Sequence, residues 1–515
     1  LEEMKQYRLY VTDQKILGIV KQEKKSESTL ANVYLKTLAD GKAVVFFCGK
    51  EYEFATKSTD GELSNTVCDL VFEKEKIKEI RKKQDTITGN LITMDQSEIE
   101  IEGYGKIPLA KRVPVYKIYG TLEEKTFQDI VIGNMDVRYV VGNGKVQAVL
   151  LKEPANIKNI RVLLLNEGSP YYENVYLTSE QKMKITLGEE KREAEAGSVL
   201  SAAELLGTSE EACKIKAADH GKIYLTKADG SRETLGYSGS MELRHSEQGY
   251  TVVNMISLED YILGVLPREM PEKFHVEALK VQAICARSYA CMQMVKGDYA
   301  ALGAHVDDST NYQVYNKNPA GEKSVKAVED TVGQVLKYKG NVVEAYYYST
   351  SCGHGTDGTV WGNDGSATPY LKAVSINEKR KPMDLTSNEA FGAFIKNMDV
   401  EAYDSEFAMF RWNAKTDSQI LAEKIGGVGQ ITGLTVTERG PGGAAKALKV
   451  VGTEGSKTFT GQSKVRSVLG NTRLVFNRKD GSTYTEWETL PSGFIYIENQ
   501  GTDENGVTAF TIYGG

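Results

Sequence analysis

The run Gly249-Tyr250-Thr251-Val252-Val253-Asn254, followed at once by Ser257-Leu258-Glu259-Asp260-Tyr261-Ile262-Leu263-Gly264-Val265-Leu266-Pro267-Arg268-Glu269-Met270-Pro271, decides the fold class. The first part is a β-branched and aromatic strand pattern, and the second is helical. Ser257 and Asp260 have the Ser-x-x-acid form of an N-terminal helix cap, and Pro271 predicts the end of that helix. A longer helix is expected from about His275 to Val295. Its apolar stripe, Val276, Leu279, Ala283, Ala286, Ala290 and Met294, recurs at steps of three and four, and its alanines allow close packing. A strand feeding a helical pair, with β structure on both sides, reads as α+β.

Upstream, residues 1 to about 155 read as short strands such as Ala43–Cys48, Thr86–Met94 and Glu98–Glu102, separated by Thr-Gly-Asn and Gly-Asn-Gly turns. A basic, helix-like run from Lys74 to Lys83 lies in the middle. Two small β-rich modules are expected, at 1–85 and 86–155, acting as spacers or binding modules. Asn159–Leu165 has the pattern of a buried strand and opens a third region, 156–515. Downstream, Val343–Tyr348 reads as a strand leading into the loop Ser349–Gly355. A helix near Ser387–Asn397 and strands at Ile431–Val436 and Ala447–Val451 follow.

Bulk properties narrow the function. The chain has 515 residues, too many for one core, with 41% hydrophobic and 26% charged residues and a net charge of −7. That balance argues against a nucleic-acid partner, because phosphate binding needs clustered Lys and Arg. No apolar run approaches the roughly 20 residues that span a bilayer. The first residues lack the features of a signal peptide, so an exported protein would have had its targeting segment trimmed. Six cysteines are sparse; they are expected to be mostly buried and inert. Cys285 and Cys291 point apart on one helix, while pairing of Cys48 with Cys68 stays open.

Several residues could carry chemistry. Glu269, at the end of a helix among Leu266, Pro267 and Met270, sits where burial and the helix dipole both favour a protonated carboxyl. Glu259 and Asp260 complement the dipole of the opening turn, and Glu272 reads as solvent-facing. Arg287 lies beside the alanine stripe, so it either pairs with a structural carboxylate or lines a polar cleft. Gln313 and Tyr315 share one side of an extended segment. Cys352-x-His354, with His305, invites a metal reading, but a four-ligand site needs further donors.

The ordered set Leu258-Glu259-Asp260-Tyr261, Glu269-Met270-Pro271, Glu277–Ala283, Ala286-Arg287-Ser288-Tyr289, Gln313-Val314-Tyr315 and Tyr348-Ser349-Thr350-Ser351 resembles the SpoIID/LytB family. Gly362, Pro369-Tyr370-Leu371 and Gly461–Gly470 look like its later landmarks, while the first 155 or so residues fall outside the resemblance. The resemblance implies a peptidoglycan lytic transglycosylase without a cofactor, in which Glu269 is catalytic together with Arg287. Gln282, Tyr289, Gln313, Tyr315, Ser349 and Thr350 would bind substrate. It also implies an extracytoplasmic or cell-wall location, with glycan strands and a cell-wall amidase as partners. Some members carry a His/Cys zinc cluster ahead of the Gln-x-Tyr motif; Asn311 and Tyr312 stand there, so that metal site is expected to be absent. The chain stops before the family's usual glycine- and histidine-containing C-terminal segment. The competing readings are a non-catalytic glycan-binding or amidase-activating protein and a structural surface protein.

Overall fold

A computed structural model describes residues 6–12, 15–23, 27–73, 76–83, 85–134, 137–155, 157, 159–361 and 365–515. The chain divides into two compact units, Leu1–Lys337 and Tyr338–Gly515. Each mixes helices with several sheets, an α+β architecture.

In the first unit, the N-terminal region is all-β apart from short 3-10 turns. A five-stranded antiparallel sheet runs in the order Lys50–Ala55, Lys42–Phe47, Glu27–Ala39, Thr66–Glu73, Lys76–Lys82, over a core that includes Val33, Leu35, Val45, Cys68 and Leu70. The basic run expected to be helix-like is therefore a strand from Lys76 to Lys82; Lys74 and Glu75 lie outside the described residues. The reason is a β-bulge. Phe72 pairs with Ile77 but Val71 pairs with Glu79, so Lys78 is the extra residue. Ile77 and Ile80 thereby reach the same core from a spacing of three, which in sequence mimics a helix.

The expected strand Thr86–Met94 is two strands, Asp85–Thr88 and Leu91–Met94, in different sheets. Gly89 separates them at a close approach, since a Cβ there would lie 2.6 Å from the Ile101 side chain.

The centre of the unit is a seven-stranded sheet. Four of its strands matter here: β1 (Asn159–Leu163), β2 (Ser240–Ser246), β3 (Gly249–Ser257) and β4 (Val306–Asp307), in the sheet order β2, β3, β1, β4. Only the β1–β4 pair is parallel among these. Helix α1 (Leu258–Glu269) leaves β3 directly, then α2 (Val276–Met294) and α3 (Glu322–Glu329) follow. The stripe of α2 is buried at Leu279, Ala283, Ala286, Ala290 and Met294, with Val276 half-exposed.

A buried charge network ties this sheet to the N-terminal β region. Glu242, fully buried on β2, accepts from Arg161 Nη2 and Arg244 Nε, each at 2.8 Å. Arg244 in turn grips Glu100 with two bonds of 2.7 and 3.2 Å. Beside it His305 is completely enclosed. Its Nδ1 accepts the Arg161 N–H at 3.0 Å, so Nε2 carries the proton and donates to the Ile132 carbonyl at 3.0 Å. Burial lowers this imidazole to about 4.

The second unit holds a five-stranded sheet, with Trp412–Asp417 and Thr508–Gly514 at its centre, and a three-stranded sheet formed by Ile431–Arg439, Ala445–Gly452 and Gly455–Thr460. The expected helix is present at Asn388–Lys396, capped by Ser387. The expected strand Val343–Tyr348 is not formed. Val343 and Ala345 are buried and Tyr346 and Tyr348 exposed, as alternation requires, but no strand pairs with the segment among the described residues. The Glu344 N–H donates instead to the Tyr370 hydroxyl at 3.0 Å. Gly362 lies outside the described residues. All six cysteines are free thiols, so Cys48 and Cys68 are not paired. Burial pushes the Cys68 thiol up to about 12.

Candidate functional site

Local sequence places Glu269. The Ser257 hydroxyl accepts the Asp260 N–H at 3.2 Å and donates to its carboxylate at 2.7 Å, which fixes the start of α1. The helix runs for 12 residues and stops as Met270 turns extended before Pro271. Glu269 is thus the last helical residue, half-buried, at the negative end of the dipole. One carboxylate oxygen accepts the Val314 N–H at 3.3 Å.

That N–H is held in place by its neighbours in the Gln-x-Tyr segment. Gln313 is 1% exposed; its Oε1 accepts from the Tyr261 hydroxyl and its Nε2 donates to the Ala286 carbonyl, both at 3.3 Å. The Tyr315 hydroxyl donates to Asn254 Oδ1 at 2.8 Å, and its buried ring lies 5.0 Å from that of Tyr261. Both side chains face inward and spend these polar groups on α1, α2 and β3. Gly264 allows this arrangement, because a Cβ on it would stand 2.5 Å from the Tyr315 ring.

Arg287 is the largest fully buried side chain among the described residues, 1% exposed. The partner is Glu259, whose carboxylate accepts from Nε at 2.9 Å and Nη2 at 2.6 Å. Arg287 Nη1 donates to the Gln334 carbonyl at 3.1 Å, and the Gly333 N–H donates to Glu259 at 3.1 Å. Of the two alternatives for Arg287, the structural carboxylate is what the geometry provides. Glu259 is accordingly more than a complement to the helix dipole. Sequence reasoning missed this role because the pair joins two helices 28 positions apart, with no periodic signal.

The other nearby carboxylates are also committed. Asp260 bonds the Ser257 cap. Glu272, expected to face solvent, reaches across to the start of α3, accepting the N–H groups of Gly321 at 3.1 Å, Lys323 at 3.3 Å and Ser324 at 2.8 Å. It caps that helix from outside, a role for which α3 has no side chain of its own at Gly321.

Gln282 and Tyr289 are seven residues apart on α2 and share a face. Gln282 is buried, and its Nε2 makes no hydrogen bond among the described residues. Buried amide donors are normally satisfied, so this Nε2 is an exception to the rule. Ser349 and Thr350 belong to the second unit, in an irregular loop, exposed and half-buried respectively. The next residue is anchored there, Ser351 donating from its backbone and its hydroxyl to Asp404 at 2.5 and 2.9 Å.

Among the described residues no three His, Cys, Asp or Glu side chains are grouped to hold a metal. His305 has both ring nitrogens bonded to the backbone, and His354 likewise: Nδ1 with the Gly355 carbonyl at 2.7 Å and Nε2 with the Met383 N–H at 3.1 Å. Cys352 donates to the His354 carbonyl. Asn311 donates to Asp307 at 2.9 Å.

A family model described as Stage II sporulation protein matches residues 246–338. That span contains β3, all three helices and the Gln-x-Tyr segment. Over this span the chain is similar to the SpoIID/LytB family. Its SpoIID domain ends where the first compact unit ends, within a residue. A second model, a domain of unknown function (DUF8618), matches residues 357–515, inside the second unit.

Among similar proteins, Stage II sporulation protein D of Bacillus subtilis is 31% identical over 251 residues, covering 45% of this chain and 64% of that protein. An uncharacterized protein of Brachyspira hyodysenteriae is 38% identical over 155 residues, 30% of this chain and 41% of that protein. An amidase enhancer of Bacillus subtilis is 31% identical over 156 residues, 30% of this chain and 20% of that protein. The chain thus spans less than two thirds of the length of these relatives.

Proposed function

We propose that the SpoIID domain cleaves peptidoglycan glycan strands as a lytic transglycosylase, with Glu269 as its single acid and base. The observation that carries this reading is the fate of the four carboxylates on α1 and the turn after it. Glu259, Asp260 and Glu272 are built into an ion pair and two caps, and Glu269 lies half-buried at the end of α1, where its carboxylate accepts the Val314 N–H. One carboxylate fits this chemistry and does not fit ordinary glycoside hydrolysis, which uses two.

In the proposed reaction the protonated Glu269 gives its proton to the bridging glycosidic oxygen as the C1–O bond breaks. The resulting carboxylate then removes the proton from the 6-hydroxyl of the same sugar. That oxygen closes on C1 to give a 1,6-anhydro ring, so no water is consumed and Glu269 ends as it began. The Val314 N–H orients the carboxylate between the two steps. Gln282 and Tyr289 bind the sugar within the first unit, while Gln313 and Tyr315 act from beneath by holding Val314. Arg287 is assigned as a positioning residue, through Glu259. The reading places the protein outside the cytoplasm, where its substrate lies.

Purified Glu269→Gln incubated with glycan strands is expected to release no anhydro-muramyl products by mass spectrometry, where the parent releases them. Equal product from both would overturn the assignment. A second reading, favoured by the similarity to an amidase enhancer, is activation of a cell-wall amidase. Stem-peptide-free glycan separates the two. Cleavage of it without a partner supports the transglycosylase, and an effect only on intact peptidoglycan with an amidase present supports the activator.

A further inference from the structure

The N–H that meets Glu269 comes from a loop. Residues 308–313 join β4 to Val314 outside any helix or strand, and the loop closes where the Tyr315 N–H donates to the Asp308 carbonyl at 3.2 Å. Thr310 and Asn311 at its tip are exposed. With no sheet ladder along it, the place of Val314 depends on the side chains that hold the loop.

Asp307 is the centre of that hold. This residue is 0% exposed, and both of its carboxylate oxygens are used. Oδ1 accepts the Ser309 N–H at 2.8 Å and the Ser309 hydroxyl at 2.7 Å. Oδ2 accepts the Asn311 side-chain amide and the Tyr299 hydroxyl, both at 2.9 Å. None of these donors is a cation, so a buried charge is met here by neutral groups, a costly arrangement for a simple turn. A neutral Asn or Ser makes the same local bond two residues on. Accepting from every one of these donors at once needs a carboxylate, which has about four lone-pair sites and no proton to give.

The base of the loop is fixed from the other side. Ala300, next to Tyr299, is buried in one core with Leu91, Met94 and Ile99 of the N-terminal β region. His305, on the strand side of Asp307, is bonded to the Ile132 carbonyl and the Arg161 N–H. Burial pushes the Tyr299 hydroxyl up to about 12, and its bond to Asp307 adds to this, so it remains a donor at neutral pH. Tyr312 braces the far end, its hydroxyl donating to Asp298 at 2.9 Å.

We propose that Asp307 is a positioning residue for the reaction: by gripping Ser309 and Asn311 it sets the Val314 N–H against the Glu269 carboxylate. Its own bonds go to the loop and to Tyr299, so it acts through Val314 and not on the sugar. The inference rests on the role proposed for Glu269. Its signature is a loss of turnover without a loss of substrate affinity, because the Val314 N–H orients the acid and not the glycan.

The test compares the full chain with Asp307→Ala, Asp307→Asn and Asn311→Ala. Steady-state cleavage of stem-peptide-free glycan should show kcat reduced about tenfold in Asp307→Ala and about threefold in Asn311→Ala, with KM within about twofold of the parent. Asp307→Asn, which keeps one acceptor oxygen, should recover part of the loss. Hydrogen exchange of the Val314 amide should be about tenfold faster in Asp307→Ala, with α1 and α2 unchanged. If Asp307→Ala does not fold, the exposed-site variant Asn311→Ala and the isosteric Asp307→Asn decide. Parent-like kcat in the variants, a raised KM at constant kcat, or unchanged exchange at Val314 would overturn the proposal. A parent chain that leaves glycan uncut would sink the glycan reading instead, and exchange at Val314 then decides by itself whether Asp307 holds that N–H in place.

Discussion

Replacing Glu259 by Gln tests the reading of the SpoIID domain at its most enclosed charge. The guanidinium of Arg287 is 1% exposed and binds Glu259 through two nitrogens, at 2.9 and 2.6 Å. Removing one partner of a buried ion pair costs about 3–5 kcal/mol, because the other charge stays desolvated without compensation. Two features reduce that here. The Glu259 side chain is 30% exposed, so water reaches one side of it, and Gln keeps an acceptor oxygen while the Gln334 carbonyl stays in place. The expected loss is about 2–3 kcal/mol. For a large domain this is a melting-temperature drop of roughly 4–10 °C. Hydrogen exchange localises the effect: amides of α1, α2 and the segment around Gly333 should exchange faster, and those of Ile431–Arg439 in the second unit should not. Arg287→Met alone and the double variant Glu259→Gln/Arg287→Met complete a cycle, in which a coupling of about 1–3 kcal/mol is expected. A melting point of Glu259→Gln within about 1 °C of the parent, or strictly additive single changes, would refute the pairing argument.

Gly264→Ala should destabilise the domain by about 1–3 kcal/mol, since its Cβ would press on the fixed Tyr315 ring; calorimetry showing a loss under about 0.5 kcal/mol would contradict that packing. Acid should weaken the first unit in two stages. The His305 imidazole is lowered to about 4 by burial, so the unfolded chain binds the extra proton first. Its contribution is complete above pH 6.5 or so and is lost as pH falls from there toward 4. Glu242 adds a lower window. Burial pushes its carboxyl up, but Arg161 and Arg244 outweigh this and hold it at about 2, so its contribution is lost between the ordinary carboxylate range and pH 2. Histidine proton resonances followed by NMR should show one imidazole titrating near pH 4, and His305→Gln should flatten stability between pH 6.5 and 4.

Local signals in the sequence were reliable where local physics governs. Ser257 caps α1, His275 caps α2 and Ser387 caps the helix in the second unit, because a side chain three residues or fewer away satisfies an otherwise orphaned N–H. The strand readings failed where pairing decides the outcome. Lys76–Lys82 conceals its period of two behind a bulge set by its partner strand, and Val343–Tyr348 alternates in burial but pairs with no strand among the described residues. Three named candidates, Arg287, Gln313 and Tyr315, were legible as unusual residues, but nothing nearby in the chain shows that their polar groups point inward.

The sequence alone determined that a helix ends on Glu269, since a cap, a turn count and Pro271 fix that position within one segment of chain. It also carried the similarity to SpoIID/LytB proteins, because the ordered motifs need no geometry to be read. Only the tertiary structure decided which carboxylate answers Arg287, that Glu272 caps a helix some 50 residues further on, and that the Gln-x-Tyr segment delivers the Val314 N–H to Glu269. Each of those contacts joins groups far apart in sequence, and their energies come from burial, which a linear pattern of residues does not encode.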